Sequence, residues 1–250
     1  NSSSDNVTTK TVKVVPNVKS WRYISVGNSF TAIRKMESNS VYGWPTASGL
    51  KEDGTYTTDN NNIDAHLMKN SEWGAVAYLS KSQYGKNTEE IAINTSSDYI
   101  TGTGGDAAST TGNIYGIYDI SGGARERVSA YVDNGHSDLV GQGSSIIKAV
   151  NKYKDVYQNN AVDDYDYANN YLLTINKKGD AVYETSNNIG GSYSWFNDSA
   201  YMPFAGGPWF GRGGLWRSGG NAGAFEFTYE DGGPGFLDGF RPVLVVNAGL

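Results

Sequence analysis

The stretch from residue 209 to residue 241 reads WFGRGGLWRSGGNAGAFEFTYEDGGPGFLDGFR, and it interleaves aromatic rings and arginines with glycines. Aromatic and arginine side chains dominate the energetics of many binding surfaces. The same glycines permit tight turns, while Trp209 and Trp216 are large enough to fill a core. We therefore expect this segment to serve both as a scaffold and as a ligand-facing surface.

An alternation of apolar and polar residues marks a strand within this segment. Phe225 and Phe227 alternate with Glu226 and Thr228. Because successive side chains of a strand point to opposite faces, we expect the two phenylalanines to face the core, and Glu226 and Thr228 to face outward. The nearly continuous apolar run over residues 240–246 predicts a second strand that is more deeply buried.

Upstream of this segment, the periodicity predicts helices and strands that are separated by long loops. Helical spacing predicts residues 29–36 after an N-cap at Asn28, residues 70–84 with Asn70 or Ser71 as N-cap, and a helix with Ile146, Ile147, Val150 and Tyr153 after a turn at 141–143. Strand patterns occupy residues 11–15 and 21–26, and loops are predicted over residues 38–62 and 96–112. This pattern of two or three helices and several short strands predicts the α+β class.

The composition excludes several kinds of partner. With 20 basic and 26 acidic residues the net charge is −6, and neither nucleic acid nor an anionic membrane attracts such a chain. The chain has no cysteine and therefore no disulfide and no cysteine nucleophile. No apolar run approaches the roughly 18 residues that span a membrane, so we expect no membrane insertion within this chain. Since the chain begins at Asn1 rather than Met, we expect any signal peptide or anchoring helix to lie upstream.

The residues that usually carry catalysis or bind metals form no recognisable motif. His66 and His136 are far apart in sequence, outside any H-E-x-x-H arrangement, and no G-x-S-x-G nucleophile elbow occurs. A cluster of acidic residues at Asp163, Asp164 and Asp166 offers hard oxygen ligands for calcium, although its spacing is not that of an EF-hand loop. A solvated acidic loop is the simpler interpretation. We therefore predict no catalytic residue, no metal ligand and no cofactor, and calcium stays open as an alternative.

Three motifs resemble those of formylglycine-generating-enzyme-like domains, which share the C-type lectin fold. They are Gly116-Ile-Tyr-Asp-Ile-Ser-Gly122, Arg212-Gly-Gly-x-Trp216 and Gly239-Phe-Arg241. The resemblance implies a single C-type lectin-fold domain over residues 20–250, with residues 1–19 as a polar lead and edge strand. The resemblance does not extend to catalysis, because the formylglycine-generating oxidase of that family needs a cysteine pair and this chain has no cysteine. The first motif also departs from the family pattern, which has Asn at Gly123 and aromatic residues at Arg125 and Arg127.

The C-terminal segment also resembles the variable region of proteins diversified by diversity-generating retroelements. Its match begins at Asn221-Ala-Gly-Ala-Phe225, continues through Phe227 and closes at Arg241. The resemblance implies a fixed framework formed by Arg212, Gly213, Gly214, Asn221, Ala222, Gly223, Phe225, Phe227, Phe240 and Arg241. It implies ligand-binding residues, nearly all of them diversified, at Leu215, Trp216, Arg217, Ser218, Glu226, Thr228, Tyr229, Glu230, Asp231, Gly233, Gly235, Phe236, Leu237 and Asp238.

Residues 70–79 and 209–214 further resemble pilin-type surface proteins of gut Firmicutes and their prophages. Together the resemblances imply a non-catalytic adhesin or receptor-binding protein, located on a cell surface, a pilus or a phage virion. Its partner would be a macromolecular ligand, either a protein or a glycan. Three alternatives stay open: a cysteine-free enzyme of the same fold, a calcium-dependent sugar-binding protein, and a structural pilin.

Overall fold

The computed structural model describes residues 4–60, 62–160, 167–187 and 192–246, and this part of the chain is a mixture of helices and sheets. Its helices are α1 (Val26–Arg34), α2 (Asn70–Ser80), α3 (Ser137–Lys148) and α4 (Tyr167–Leu172). Its strands are β1 (Ser48–Leu50), β2 (Tyr56–Thr58), β3 (Ile63–Leu67), β4 (Arg125–Val132), β5 (Asp155–Tyr157), β6 (Ser192–Tyr193), β7 (Ser199–Ala200), β8 (Trp209–Arg212), β9 (Phe227–Glu230), β10 (Asp238–Phe240) and β11 (Pro242–Val246). The predicted α+β class is confirmed. None of the helices in the described ranges combines the length and the apolar character that crossing a membrane requires.

The main sheet has the strand order β10-β4-β8-β9-β7-β6, and β5 pairs with the end of β4. Strand β4 is parallel to β10 and antiparallel to β8. Because side chains alternate along a strand, β4 contributes to two separate cores. Val128 and Ala130 join Trp73 of α2 in one core, while Tyr131 joins residues of α1 and α3 in the other.

Trp209 packs α3 against the face of the sheet that carries Tyr131. Its side chain is fully buried, and its indole Nε1 donates to the carbonyl of Asp138 at 3.2 Å. A Cβ on Gly143 would lie 2.0 Å from the Trp209 ring, so only glycine fits there. Gly143 also departs from helical geometry, with φ −133° and ψ 25°, although it lies inside α3. The prediction of a turn over residues 141–143 is therefore wrong, since the glycine serves a close approach between a helix and a strand.

The helix starts were predicted with mixed success. Helix α2 runs over Asn70–Ser80, so it ends earlier than predicted, and its N-cap is Lys69 rather than Asn70 or Ser71. The Glu72 carboxylate accepts a hydrogen bond from the Lys69 N–H at 2.9 Å. Helix α1 begins at Val26, so the predicted strand over residues 21–26 is wrong. Its N-cap is Ser25 rather than Asn28, because the Asn28 side chain instead donates to the carbonyl of Asp5.

The remaining element predictions also differ from the structure. The apolar run over residues 240–246 is divided between β10 and β11, and β11 is largely exposed because its partner among the described residues is β3 alone. Residues 11–15 form no strand. The prediction of a loop over residues 38–62 is wrong in part, because this range contains the β1–β2 hairpin. The loop predicted over residues 96–112 is correct apart from a short 3₁₀ turn.

A buried ion pair connects two of the motifs that the sequence singled out. The Arg241 guanidinium binds the Glu126 carboxylate through Nε at 2.8 Å and through Nη2, and Nη2 also donates to the carbonyl of Tyr118 at 2.9 Å. Burial raises the pKa of Glu126, while Arg241 opposes that shift. One arginine therefore joins the loop that precedes β4, β4 itself and the segment between β10 and β11.

Replacing Arg241 with methionine would leave the Glu126 carboxyl buried without its partner. We expect the free energy of unfolding to fall by about 3–5 kcal/mol, the usual effect of removing one member of a buried ion pair. Urea denaturation followed by circular dichroism measures the change. Arg217→Met is the matched control, because Arg217 is exposed and surface substitutions usually change stability by less than about 0.5 kcal/mol. Equal losses in the two variants would show that the ion pair does not hold these segments together.

Candidate functional site

Two arginines of β4 hold the predicted ligand-binding segment from beneath. Arg125 donates to Asp238 Oδ1 through Nε at 3.0 Å and Nη2 at 2.8 Å, and it also binds the Glu230 carboxylate. Arg127 binds Asp238 Oδ2 through Nη2 at 3.0 Å. All four side chains are buried or nearly so. We call these four residues the charged clamp, because they tie the ends of β9 and β10 to the middle of the sheet.

The clamp changes the role predicted for two site residues. Asp238 is only 4 % exposed, and the Glu230 side chain lies against Arg125, so neither projects outward as a ligand contact. The acidic group of each compensates a buried guanidinium instead. Burial raises the pKa of Glu230 to about 7, since the attraction of Arg125 is offset by the neighbouring carboxylate of Asp238.

Glu226 also lies inside the protein, so the prediction that it faces outward is wrong. It is 4 % exposed, and its Oε2 accepts a hydrogen bond from the Gly214 N–H at 3.0 Å. Burial raises its pKa to about 8, although Arg125 and Arg212 oppose that shift. The physical reason is that residues 224–225 form a turn and β9 begins only at Phe227, so the strand alternation does not extend back to Glu226.

The framework residues form the floor of the segment. Arg212 is fully buried, and its guanidinium lies 5.5 Å from the Trp73 ring and 5.7 Å from the Phe227 ring. A Cβ on Gly223 would meet the Asp198 carboxylate at 2.1 Å, and Asp198 accepts the Phe225 N–H at 2.8 Å. Gly213, Gly214 and Ala222 are buried as well, whereas Asn221 is exposed and Phe240 and Arg241 are half-buried.

The remaining predicted site residues reach the surface to different extents. The exposed ones are Arg217, Tyr229, Asp231 and Phe236, and the half-buried ones are Leu215, Trp216, Ser218, Thr228, Gly233, Gly235 and Leu237. We call these eleven residues the outer positions. They do not form one cluster of mutual contacts: Tyr229 packs on Phe204 with ring centroids 4.4 Å apart, whereas Phe236 lies beside Tyr23 at 6.4 Å.

The loop between β9 and β10 is held through its backbone carbonyls. The Gly233 carbonyl accepts from Arg127, the Gly235 carbonyl accepts from the Tyr23 N–H at 2.9 Å, and the Phe236 carbonyl accepts from Arg22 Nη1 at 2.7 Å. The Leu237 carbonyl accepts from the Arg125 N–H at 3.1 Å. Because carbonyls make these contacts, the side chains of Phe236 and Leu237 are not needed to hold the loop.

Gly235 is an exception among the outer positions. A Cβ at Gly235 would lie 2.3 Å from Oδ2 of Asp238, whose carboxylate is fixed in the charged clamp. At Gly233 the nearest atom to an added Cβ is 3.4 Å away, which is an ordinary contact. Gly233 therefore tolerates a side chain, whereas Gly235 does not.

The histidines and acidic residues that the sequence raised as candidate ligands have different positions. His66 is buried between two carboxylates, with Nδ1 3.1 Å from Asp64 and Nε2 2.7 Å from Glu72, and these interactions raise its pKa against the effect of burial. His136 caps α3. Over the described ranges, no group of three or more His, Cys, Asp or Glu side chains is arranged to hold a metal ion. Asp163, Asp164 and Asp166 lie outside those ranges.

Two features of this site escaped the sequence analysis. The first is the charged clamp, for which the only sequence signal is the run Arg125-Glu126-Arg127 at the start of a strand whose other residues are mostly apolar. The second is the pairing of Tyr23 with Phe236, which no local pattern predicts because the two residues lie at opposite ends of the chain. No protein-family model matches the sequence, and a search of curated proteins gives no match either. The residues of the chain itself therefore carry the functional inference.

If Glu226 belongs to the framework, a basic residue should not be tolerated there. We expect Glu226→Lys to lower the free energy of unfolding by about 3–5 kcal/mol, because it places an unpaired charge beside the buried Arg212. Thr228→Lys, two residues further on and half-buried, should change it by less than about 1 kcal/mol. Chemical denaturation of both variants tests this difference. If lysine changed the stability equally little at both positions, Glu226 would not belong to the framework, and the original prediction that it faces outward would stand.

The raised pKa of Glu230, about 7 against 4.5 for an exposed glutamate, predicts a pH dependence of stability. The folded state binds this proton more tightly than the unfolded state, so the stabilisation is complete below pH 4.5 and is lost as the pH rises through about 7. Glu230→Gln should reduce the loss of stability between pH 5.5 and 8.5 by about 2 kcal/mol. Melting temperatures across this range measure the effect. Asp231→Asn, an exposed neighbour, should follow the unmodified protein, and identical profiles for all three would contradict the prediction.

Proposed function

We propose that this chain is a non-catalytic ligand-binding protein of the C-type lectin fold, which presents the outer positions of residues 209–241 to a macromolecular ligand. The observation that carries the proposal is the backbone anchoring of residues 233–237, four of whose carbonyls are bound by Arg22, Tyr23, Arg125 and Arg127. A loop held in this way keeps its shape when its side chains change. That is the property that a diversified binding surface needs.

The chemistry of the outer positions supports a binding role. Phe236 is 50 % exposed and Tyr229 is 40 % exposed, and both lie on a rigid support rather than on a long unsupported loop. Exposed aromatic side chains on a rigid support give binding energy with little loss of conformational entropy. Arg217 and Asp231 add charges of opposite sign, so this surface offers mixed contacts to a partner.

The proposal extends to diversification and to location. Seven of the ten framework residues that the resemblance implies are buried here, and most of the positions that it implies to vary are outer positions. We exclude three of the predicted ligand-binding residues, Glu226, Glu230 and Asp238, because they bind groups inside the protein. We place the protein on a cell surface, a pilus or a phage virion, where its partner is a protein or a glycan.

Binding to defined ligand libraries tests this function. The whole chain is immobilised and exposed to phage-displayed random 12-residue peptides and to an array of glycans. We expect binders whose affinity falls at least about tenfold for the triple variant Arg217→Ser, Tyr229→Ser, Phe236→Ser, because loss of central aromatic and arginine contacts has effects of this size. Surface plasmon resonance measures the affinities, and circular dichroism confirms that the variant is folded.

The control removes aromatic surface elsewhere on the protein. Tyr84→Ser, Tyr115→Ser deletes two side chains that are 77 % and 87 % exposed and lie outside residues 209–241. Its affinity for the same binders should be unchanged. Binders that both variants lose equally, or libraries without any binder that depends on the triple variant's positions, would overturn the proposed function.

A further inference from the structure

Tyr23 adopts a backbone conformation that a tyrosine rarely takes. Its φ is +57°, in the left-handed region where glycine, Asn and Asp are tolerated and bulky residues are strained. The described part of the chain contains four such residues that are neither glycine nor Asn nor Asp: Tyr23, Tyr99, Ala181 and Phe196. Each of them needs a compensating interaction, or else a function, to explain why a less strained residue does not occupy the position.

Packing accounts for the other three strained residues. Ala181 is fully buried, and Tyr99 is 7 % exposed beneath the Arg22 guanidinium, which lies 4.0 Å from its ring. Phe196 is half-buried and stacks on Phe225 at 5.9 Å. In each case the side chain gains contacts that a glycine or an asparagine would lose.

Packing does not explain the strained backbone conformation of Tyr23 in the same way. Its side chain is 42 % exposed, and its ring contacts Arg22 at 5.7 Å and Phe236 at 6.4 Å. Phe236 is itself half exposed, so the two rings shield each other from water only in part. The half-exposed Tyr23 ring therefore contributes little stability to offset the strain of its backbone. This imbalance points to a role of the ring in binding.

The surroundings of the two rings form a rigid platform. The Tyr23 N–H donates to the Gly235 carbonyl at 2.9 Å, and Arg22 Nη1 donates to the Phe236 carbonyl at 2.7 Å. Stacking on Tyr99 fixes the other side of the Arg22 guanidinium. Residues 22–23 and 235–236 are therefore one structural unit, and that unit is continuous with the outer positions.

We propose that Tyr23 is a ligand-contacting residue and that, together with Phe236, it binds an apolar or aromatic side chain of a polypeptide ligand. This inference rests on the proposed function and adds a contact outside residues 209–241. A polypeptide is favoured over a glycan because the carbonyls of Gly235 and Phe236 and the Arg22 Nη1 beside the rings are already engaged within the protein. Apart from the Tyr23 hydroxyl, these two side chains offer a partner the faces and edges of two aromatic rings tilted by 35°, which suits an apolar side chain.

Stability measurements test the reason for the strain without any ligand. Tyr23→Asn relieves the left-handed backbone and gives up few contacts, so its melting temperature should stay the same or rise by about 2–4 °C. Tyr99→Asn is the matched control: its φ of +58° is nearly the same, but its ring is buried, and its melting temperature should fall. A fall of similar size in both variants would show that the Tyr23 ring is structural and would overturn the inference.

Binding measurements test the contact itself. Peptides selected from the random library on the whole chain should be enriched in Trp, Tyr, Phe and Leu, and should bind Tyr23→Asn about 10- to 100-fold more weakly. Peptides that lose affinity for the triple variant but not for Tyr23→Asn would overturn this inference and leave the proposed function intact. Selected binders that are glycans and not peptides would overturn the polypeptide assignment. Binders that neither variant loses would overturn both proposals.

Discussion

The buried charges at the start of β4 constrain the rest of this structure. Arg125, Glu126 and Arg127 are consecutive, and the alternation of a strand sends the glutamate to one face of the sheet and the arginines to the other. Each charge needs a partner, because an unpaired buried ion is far less favourable than one in water. The partners all come from residues 230–241: Arg241 for the glutamate, and Glu230 and Asp238 for the arginines. The C-terminal segment is thus fixed to both faces of the sheet.

Much of this arrangement was within reach of the sequence, but only where local signals decide it. The approximate start of α2 was predictable because its apolar spacing and Glu72 lie within a few neighbouring residues, although the N-cap is Lys69 rather than Asn70 or Ser71. The N-cap of α1 was not, since Ser25 and Asn28 both suit a cap and a distant residue, Asp5, occupies the second. Glu226 was misassigned because alternation in sequence says nothing about where a turn ends and a strand begins. The charged clamp joins residues 113 positions apart, and no local pattern reveals such a pair.

The clamp gives a structural role to two positions at which this chain differs from the motif that it resembles. The family pattern has aromatic residues where this chain has Arg125 and Arg127. Both arginines bind Asp238, the first residue of β10, and Arg127 also binds the Gly233 carbonyl in the loop before it. An aromatic residue at either position would fill space but would offer no partner for Asp238. The two arginines are therefore part of the way in which this chain supports its surface loop.

A surface that is anchored through carbonyls can vary its side chains, but only where the space around them is open. Phe236 and Leu237 satisfy both conditions, since their carbonyls hold the loop and their side chains are at least partly exposed. Gly235 satisfies only the first, because a Cβ there would meet the fixed carboxylate of Asp238. The Tyr23 N–H donates to the Gly235 carbonyl, and this bond requires no particular side chain at residue 236, although the Tyr23 ring also lies beside Arg22 and Phe236. The structure thus places the ring of Tyr23, from the N-terminal region, beside Phe236, whose side chain the loop does not need for its anchoring; under the proposed function, Tyr23 would supply a contact that stays the same when residue 236 changes.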